Sequence, residues 1–172
     1  HAWAKNDYPF WKKIIETYGY QLPEKAGGQV ARSYRRSTLL RWLLSRLSRP
    51  TAKKRARAAV RKVLTGDNYA VWGFGQDGQV LVKLLLSIGI CVDCILDRNA
   101  DTEANLSSLF CPPTVDLFFT YRRRLILGSR EHEAGMTEEL KELGFVEGED
   151  FWLFSLLTQC ILKAYFNAGE AP

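Results

Sequence analysis

From residue 69 onward, short apolar stretches alternate with longer stretches of helical periodicity, and this alternation constrains the fold more than any other feature. The apolar stretches are YAVWG, ICVDCILD, LILGS and DFWLF. Helical periodicity marks QDGQVLVKLLLSIG, EHEAGMTEELKELG and SLLTQCILKAYFNAG; TVDLFFTYRRR fits a short helix better than a strand, and RNADTEANLSSLFCPP has the composition of a loop. Strands that alternate with helices predict an α/β domain, with a small parallel sheet of about four strands covered on both faces.

The first 66 residues have a different character. Apolar periodicity predicts helices over residues 8–19, 29–48 and 51–66, the last beginning at a Thr51 cap and ending at Gly66. Twelve of the chain's 24 Lys and Arg residues lie between positions 32 and 62, where Asp and Glu are absent. This change in composition predicts a helical, basic N-terminal arm over residues 1–66 and a sheet domain over residues 67–172.

The basic segment, residues 32–62, has three interpretations. It lies on an anionic membrane surface, it binds nucleic acid, or its apolar stripe packs on the sheet domain or on a partner chain, as in a homodimer, and leaves the charges solvated. No helix-turn-helix glycine or aromatic RNA-binding motif accompanies the charge, which disfavours nucleic acid.

The glycine-rich turn after the first predicted strand is the clearest candidate binding motif. Residues 73–78, GFGQDG, fit G-x-G-x-x-G between a strand and a helix, and Asp97 ends the next strand nineteen residues later. In this pattern Gly73 allows the tight turn, Gly75 lets a diphosphate approach the backbone, and Gly78 lets the helix pack closely. Asp97 would accept hydrogen bonds from a ribose diol.

The predicted nucleotide site also includes Phe74 and Gln76 of the glycine turn, and Arg98, which directly follows Asp97. The alternative is that the glycines serve chain geometry alone and the crevice holds no ligand. Asp77 favours this ligand-free alternative, because a carboxylate in the first helical turn either caps the amides that a phosphate would use or repels the phosphate.

A second polar cluster, Ser129, Arg130 and His132, follows the stretch LILG. These residues are predicted to face the same crevice as the glycine turn, with Arg130 on a phosphate and His132 on a sugar hydroxyl. The alternative is a helix start, in which Ser129 caps, Glu131 and Glu133 suit the helix dipole and His132 is exposed.

Several stretches resemble a known group of bacterial domains. They are YAVWGFGQDGQVLVKLLLSIGICVDCILDRNAD, CPPTVD, LILGSREH and ELKELGFVEGEDFWLF, which span roughly residues 68–154, about half of the chain. They are similar to small Rossmann-like domains of bacterial polysaccharide biosynthesis proteins, which occur appended to glycosyltransferases and methyltransferases. They also resemble the N-terminal nucleotide-sugar domain of bacterial sugar acetyltransferases.

In the acetyltransferase relatives the glycine turn and the acid bind the nucleotide part of a sugar nucleotide. The resemblance therefore implies that role for Gly73, Gly75, Gly78 and Asp97. The chain departs from that family in two respects. It has no hexapeptide-repeat domain, so acetyl transfer is not implied, and Asp77 stands where a basic or small residue is expected.

The sequence contains no complete set of catalytic residues. It lacks G-x-S-x-G, H-E-x-x-H, a P-loop and a Tyr-x-x-x-Lys pair at the matching place, and neither histidine has an evident nucleophile as partner. We therefore expect a nucleotide- or nucleotide-sugar-binding module of a larger protein or complex in polysaccharide or glycoconjugate biosynthesis. The alternatives are a non-catalytic structural or oligomerisation module and a small NAD(P)-dependent oxidoreductase.

Cysteine spacing and hydropathy bear on metal binding and location. Cys91 and Cys94 form a C-x-x-C within a predicted strand, where residues three apart point to opposite faces, so we expect buried free thiols and no metal site. No apolar run reaches the roughly 18 residues that a membrane span needs. The prediction is a cytoplasmic protein, or one peripheral to the inner membrane face; because the chain begins at His1, we expect it to be part of something longer.

Overall fold

The five strands form one all-parallel sheet, in the spatial order Phe110–Cys111, Cys91–Leu96, Asn68–Trp72, Leu125–Leu127 and Phe151–Trp152. The computed structural model describes residues 47, 49–98 and 109–166, and all structural statements concern these residues, which belong to one compact unit. The strands are β1 (Asn68–Trp72), β2 (Cys91–Leu96), β3 (Phe110–Cys111), β4 (Leu125–Leu127) and β5 (Phe151–Trp152). The helices are α1 (Pro50–Arg61), α2 (Gln76–Ser87), α3 (Val115–Thr120), α4 (Glu133–Glu142) and α5 (Phe154–Phe166).

The α/β prediction is confirmed, and the sheet has one strand more than expected. The additional strand, β3, has two residues and pairs Phe110 with Ile95 and Cys111 with Leu96. It lies in RNADTEANLSSLFCPP, which its polar residues and two prolines mark as a loop. TVDLFFTYRRR contains a helix, as predicted, with the Thr114 hydroxyl accepting a hydrogen bond from the Leu117 N–H at its start.

One face of the sheet is covered by α3 and α4. Alternate residues of each strand point to this face, since side chains of a strand alternate in direction. The buried cluster there includes Ala70, Trp72, Cys94, Leu96, Phe118, Leu125, Leu127, Met136, Leu140, Phe145 and Phe151. The rings of Trp72 and Phe118 lie 4.5 Å apart between centroids, and this contact fixes α3 on the sheet.

The opposite face is covered by α2, α5 and α1. Tyr69 and Val71 alternate with the residues of the first cluster, and the Tyr69 ring meets Trp152 of β5 edge-on at 6.0 Å. α2 contacts β1 and β2, and α1 contacts α5. Helices therefore flank both faces, which explains why the strands of a parallel sheet are apolar throughout.

Helix α1 begins at Pro50, with Arg49 as the N-cap residue and no side-chain cap, so the prediction of a Thr51 cap is wrong. Proline suits the first helical position because its missing N–H has no partner there in any case. The helix ends at Arg61 rather than near Gly66. The predicted helix over residues 8–19 and, apart from Leu47, that over residues 29–48 lie outside the described residues, and the domain boundary at residues 66 and 67 stays a prediction.

The turn that leads into β5 is built around a buried carboxylate. Asp150 is 4% exposed and accepts hydrogen bonds from Arg122 Nη2 at 2.9 Å and from the Val146 N–H at 3.0 Å. The Asp150 carbonyl accepts from the N–H of Arg123, which has a φ of +67°. Arg122, followed by the Val146 N–H, lowers the pKa of the Asp150 carboxyl below its ordinary 3.8.

Replacing Asp150 by Asn is expected to change how stability depends on pH. Because the folded pKa is lowered, the charged carboxylate stabilises the fold above about pH 4, and that contribution is lost as pH falls through the folded pKa. Urea unfolding at pH 7 and pH 3 should show wild type losing more free energy of unfolding on acidification than Asp150→Asn. Equal losses in the two proteins would contradict this role.

Candidate functional site

The glycine turn lies at the position where the strand order reverses direction. β2 and β3 extend to one side of β1, whereas β4 and β5 extend to the other. In open parallel sheets, a crevice forms outside the carboxyl ends of the strands at such a switch point, and ligands bind there. The carboxyl ends of β1 and β4 carry the two polar segments that the sequence singles out, residues 73–78 and 129–132.

Three glycines bring β1, β4 and α2 into close contact. Gly73 has a φ of +95°, and its carbonyl oxygen lies so near Gly78 and Gly128 that a Cβ atom on either would overlap it. The Gly128 N–H donates to the Trp72 carbonyl at 2.7 Å. Close packing therefore explains why Gly73 and Gly78 of the predicted motif are glycines. It also explains Gly128, to which the sequence analysis assigns no role beyond the end of LILG.

Gly75 is different from these three. Its φ is −62°, which any residue adopts, and a Cβ atom placed on it would have no neighbour within 4 Å. Neither backbone conformation nor packing thus requires a glycine at this position. The missing side chain leaves the backbone at the start of α2 open to solvent.

The N-terminus of α2 has no side-chain cap. The helix begins at Gln76, and the N–H groups of a first helical turn have no acceptor within the helix. Asp77 lies in this turn half-buried, and no hydrogen bond or ion pair in the described part of the chain involves its side chain. Asp77 therefore does not cap these amides, although its charge remains close to them.

Asp97, directly after β2, is held against the glycine turn. Its Oδ2 accepts a hydrogen bond from the Phe74 N–H at 2.6 Å, and its own N–H donates to the Cys111 carbonyl at 3.1 Å. The Phe74 ring meets Phe110 edge-on at 4.9 Å, so two aromatic side chains lie beside the carboxylate. Gln76 and Arg98 are both exposed, Gln76 in the first turn of α2 and Arg98 just after Asp97.

The second polar segment begins next to the glycine turn. Ser129 Cβ lies 3.6 Å from the position a Cβ on Gly73 would take, so Ser129 faces the same turn. Its Oγ accepts from the His132 N–H at 3.3 Å, and His132 is the exposed N-cap residue of α4. Arg130 is half-buried between them. The structure therefore brings the starts of the two predicted segments together at one edge of the sheet, as the topology requires.

Glu133 has a structural role that the sequence does not reveal. Its carboxylate accepts hydrogen bonds from the N–H and the hydroxyl of Ser155, at 2.9 and 2.6 Å. It thus ties the first turn of α4 to the first turn of α5. Sequence spacing predicts only that Glu133 suits the dipole of its own helix; the contact with Ser155, 22 residues away, has no local signature.

The pairing of β2 with β1 shifts by one residue between Val92 and Cys94, so simple strand alternation does not separate Cys91 from Cys94 as predicted. The prediction that both thiols are buried is wrong for Cys91. Cys91 is exposed, whereas Cys94 is buried beside Cys111 and Tyr121. Burial, with Cys111 as the next contribution, raises the pKa of Cys94 to about 11, and burial raises the pKa of Tyr121 to about 12. Neither group ionises at neutral pH. Among the described residues no three His, Cys, Asp or Glu side chains are grouped as metal ligands.

Comparisons with known proteins identify no relative. No protein-family model matches the sequence, and neither a curated protein nor a solved structure is significantly similar to it. The resemblance to polysaccharide biosynthesis domains therefore stays a prediction from the motifs. Within the described residues, no helix has the length and apolarity that crossing a membrane requires.

The contrast between two glycines of the motif leads to a stability prediction. Gly78→Ala places a Cβ against the Gly73 carbonyl and should cost about 1–3 kcal/mol of unfolding free energy or more, as overpacked sites do. Gly75→Ala meets no atom and should change it by less than about 0.5 kcal/mol, as substitutions at open surface sites do. Chemical denaturation of both variants measures the difference, and a similar cost for the two would contradict the packing described above.

Proposed function

We propose that the crevice at the ends of β1 and β4 binds a nucleotide or nucleotide sugar. The observation that carries the proposal is Gly75, because the fold itself does not require a glycine there. A diphosphate needs to approach the backbone closely at this point of the motif, and any side chain would stand in its way. The uncapped amides at the start of α2 supply hydrogen-bond donors and a favourable helix dipole for its negative charge.

Each part of the ligand has a candidate partner in this arrangement. The diphosphate lies over residues 75–78 at the start of α2, and the ribose diol donates to Asp97. The base lies near Phe74 and Phe110. The distal phosphate or sugar lies toward Ser129, Arg130 and His132, and Arg130 supplies the positive charge.

The Asp97–Phe74 hydrogen bond favours a second function, that of a non-catalytic scaffold. The carboxylate already shapes the turn, and close packing explains the other glycines. A carboxylate has about four acceptor sites, however, so holding the Phe74 N–H is compatible with accepting from a diol as well. Ligand binding decides between the two hypotheses.

The wider setting belongs to the same proposal. We place the module in the cytoplasm, in a pathway of polysaccharide or glycoconjugate biosynthesis, as part of a larger protein or complex. The four cysteines are free thiols in the structure, which suits a reducing compartment. The resemblance of residues 68–154 to such domains supports the pathway, and the identity of base and sugar is what a ligand screen would determine.

A thermal-shift screen with UDP-, GDP-, TDP- and CMP-sugars, NAD, NADP and coenzyme A tests the proposal. A ligand at a hundred times its Kd adds about 2.7 kcal/mol, which raises the melting midpoint by a few degrees. With the ligand so found, Gly75→Val and Asp97→Asn should each weaken binding about tenfold or more, roughly 1.4 kcal/mol. The amide introduced by Asp97→Asn keeps an oxygen acceptor for the Phe74 N–H, so the turn is retained.

Asp93→Asn is the matched control for Asp97→Asn. Asp93 is an exposed residue of the same strand, β2, and its neutralisation removes the same charge away from the crevice. The Kd of Asp93→Asn for the same ligand should stay within about twofold of the wild-type value, because substitutions at surface sites away from the site usually have small effects. If no nucleotide binds, or if the Asp93 and Asp97 variants bind equally well, the scaffold hypothesis replaces the proposed function.

Neutralising Asp77 should have the opposite effect. Its carboxylate lies in the helical turn that would receive the phosphate, so Asp77→Asn removes a repulsion and should tighten binding by about fivefold, for a Coulomb energy of roughly 1 kcal/mol between charges about 4 Å apart in water. Asp116→Asn is the control, since Asp116 occupies the first turn of α3 and its loss weakens a helix dipole interaction similarly. Isothermal titration of both variants measures the effect; unchanged affinity in Asp77→Asn would place the phosphate elsewhere.

A further inference from the structure

Helix α1 presents a basic surface that the proposed nucleotide site does not use. Its apolar residues Ala52, Ala56 and Val60 are buried, and α1 contacts α5. From Arg49 to Gly66 the sequence has no acidic residue. The exposed cations of this segment are Arg49, Lys53, Lys54, Arg55, Arg57 and Lys62. The apolar stripe is thus already covered, and what faces outward is charge.

Three cations on this helix have no acidic partner among the residues that the structure describes. Within the described part of the chain, no carboxylate lies within ion-pair distance of Lys53, Lys54 or Arg57, whereas Arg61 pairs with Asp67 at 3.2 Å. The Arg57 guanidinium lies beside Gly89, at the C-terminal end of α2, where a cation is favoured by the helix dipole.

The basic surface continues from α1 onto the edge of the sheet at which β1 and β4 begin. Arg61 donates to the Gly66 carbonyl. The Cγ of Arg124 lies 3.9 Å from the Cβ position of the same glycine, whereas its guanidinium lies over the Tyr121 ring and donates to the Thr120 carbonyl at 3.4 Å. The neighbouring Arg123 is exposed. This is the edge opposite to the crevice, because the crevice lies at the carboxyl ends of the strands.

We propose that the outer face of α1, together with the exposed Arg123, docks on an anionic phospholipid surface. The contact is electrostatic and involves no insertion, since α1 has no exposed large apolar residue. The cations are spread over a helix and a sheet edge. The anionic headgroups of a fluid bilayer can rearrange to contact cations that are spread in this way. Docking at this edge leaves the crevice directed away from the membrane.

Nucleic acid is the competing polyanion, and the exposed residues between the cations disfavour it. Pro50, Thr51 and Ala58 are the uncharged exposed residues of the helix. None has an aromatic ring for stacking on bases or a side-chain amide for bidentate contact with a base edge.

The test compares two charge reversals of the full chain that alter net charge equally. Each cation near a bilayer surface contributes about 1 kcal/mol, so Lys54→Glu, a change of two charges, should weaken binding to phosphatidylcholine vesicles containing about one third phosphatidylglycerol by about 25-fold. Lys141→Glu makes the same change on α4, which covers the opposite face of the sheet. It should stay within about twofold of wild type, because screening limits charge effects to about 8 Å.

Co-sedimentation with the anionic vesicles measures the affinities of wild type, Lys54→Glu and Lys141→Glu. Pure phosphatidylcholine vesicles give the background. Lys53→Glu provides a second variant on the same helix, and circular dichroism confirms that each protein is folded. The proposal is overturned if the chain does not bind the anionic vesicles, or if Lys54→Glu and Lys141→Glu bind equally. It is also overturned if duplex DNA binds more tightly than the vesicles in a manner that Lys54→Glu abolishes.

Discussion

The carbonyl oxygen of Gly73 lies where β1, α2 and β4 meet, and it leaves no room for a side chain on Gly78 or Gly128. This contact sets how closely the first helix after β1 approaches the sheet and how β4 sits beside β1. Since the strand order reverses at this pair of strands, the same contact determines the shape of the crevice. Packing and the proposed ligand would therefore both favour glycine at most positions of the motif. Only a glycine that packing does not require can distinguish the two explanations.

Gly75 is such a residue, and its neighbours are arranged around the open backbone that it creates. Asp97 holds the Phe74 N–H on one side, and Ser129 lies against Gly73 on the other. The start of α2 between them has no side-chain cap. The groups that shape this backbone are fixed by strands, so in the proposed function a bound anion would not have to order them.

Periodicity predicts β1, β2, β4 and β5 and the helices α2 and α4, because each lies in a stretch whose apolar residues match its period, whereas TVDLFFTYRRR only fits a short helix better than a strand. β3 escapes prediction because its two residues stand between a polar stretch and two prolines. The placement of Asp97 after β2 was predictable from spacing, but its hydrogen bond to Phe74 was not, because the two residues are 23 positions apart. The roles of Gly128 and Glu133 likewise depend on tertiary contacts with Gly73 and Ser155, which local sequence does not encode.

The most direct test of the central claim is to record amide proton–nitrogen NMR spectra of the chain during titration with a nucleoside diphosphate, such as UDP. The account predicts the largest shifts at the N–H groups of residues 74–78, with smaller ones at Asp97 and residues 129–132. Those amides surround the open backbone at Gly75. A spectrum that does not change, or shifts that map away from the glycine turn, would contradict the account and leave the motif as a packing device.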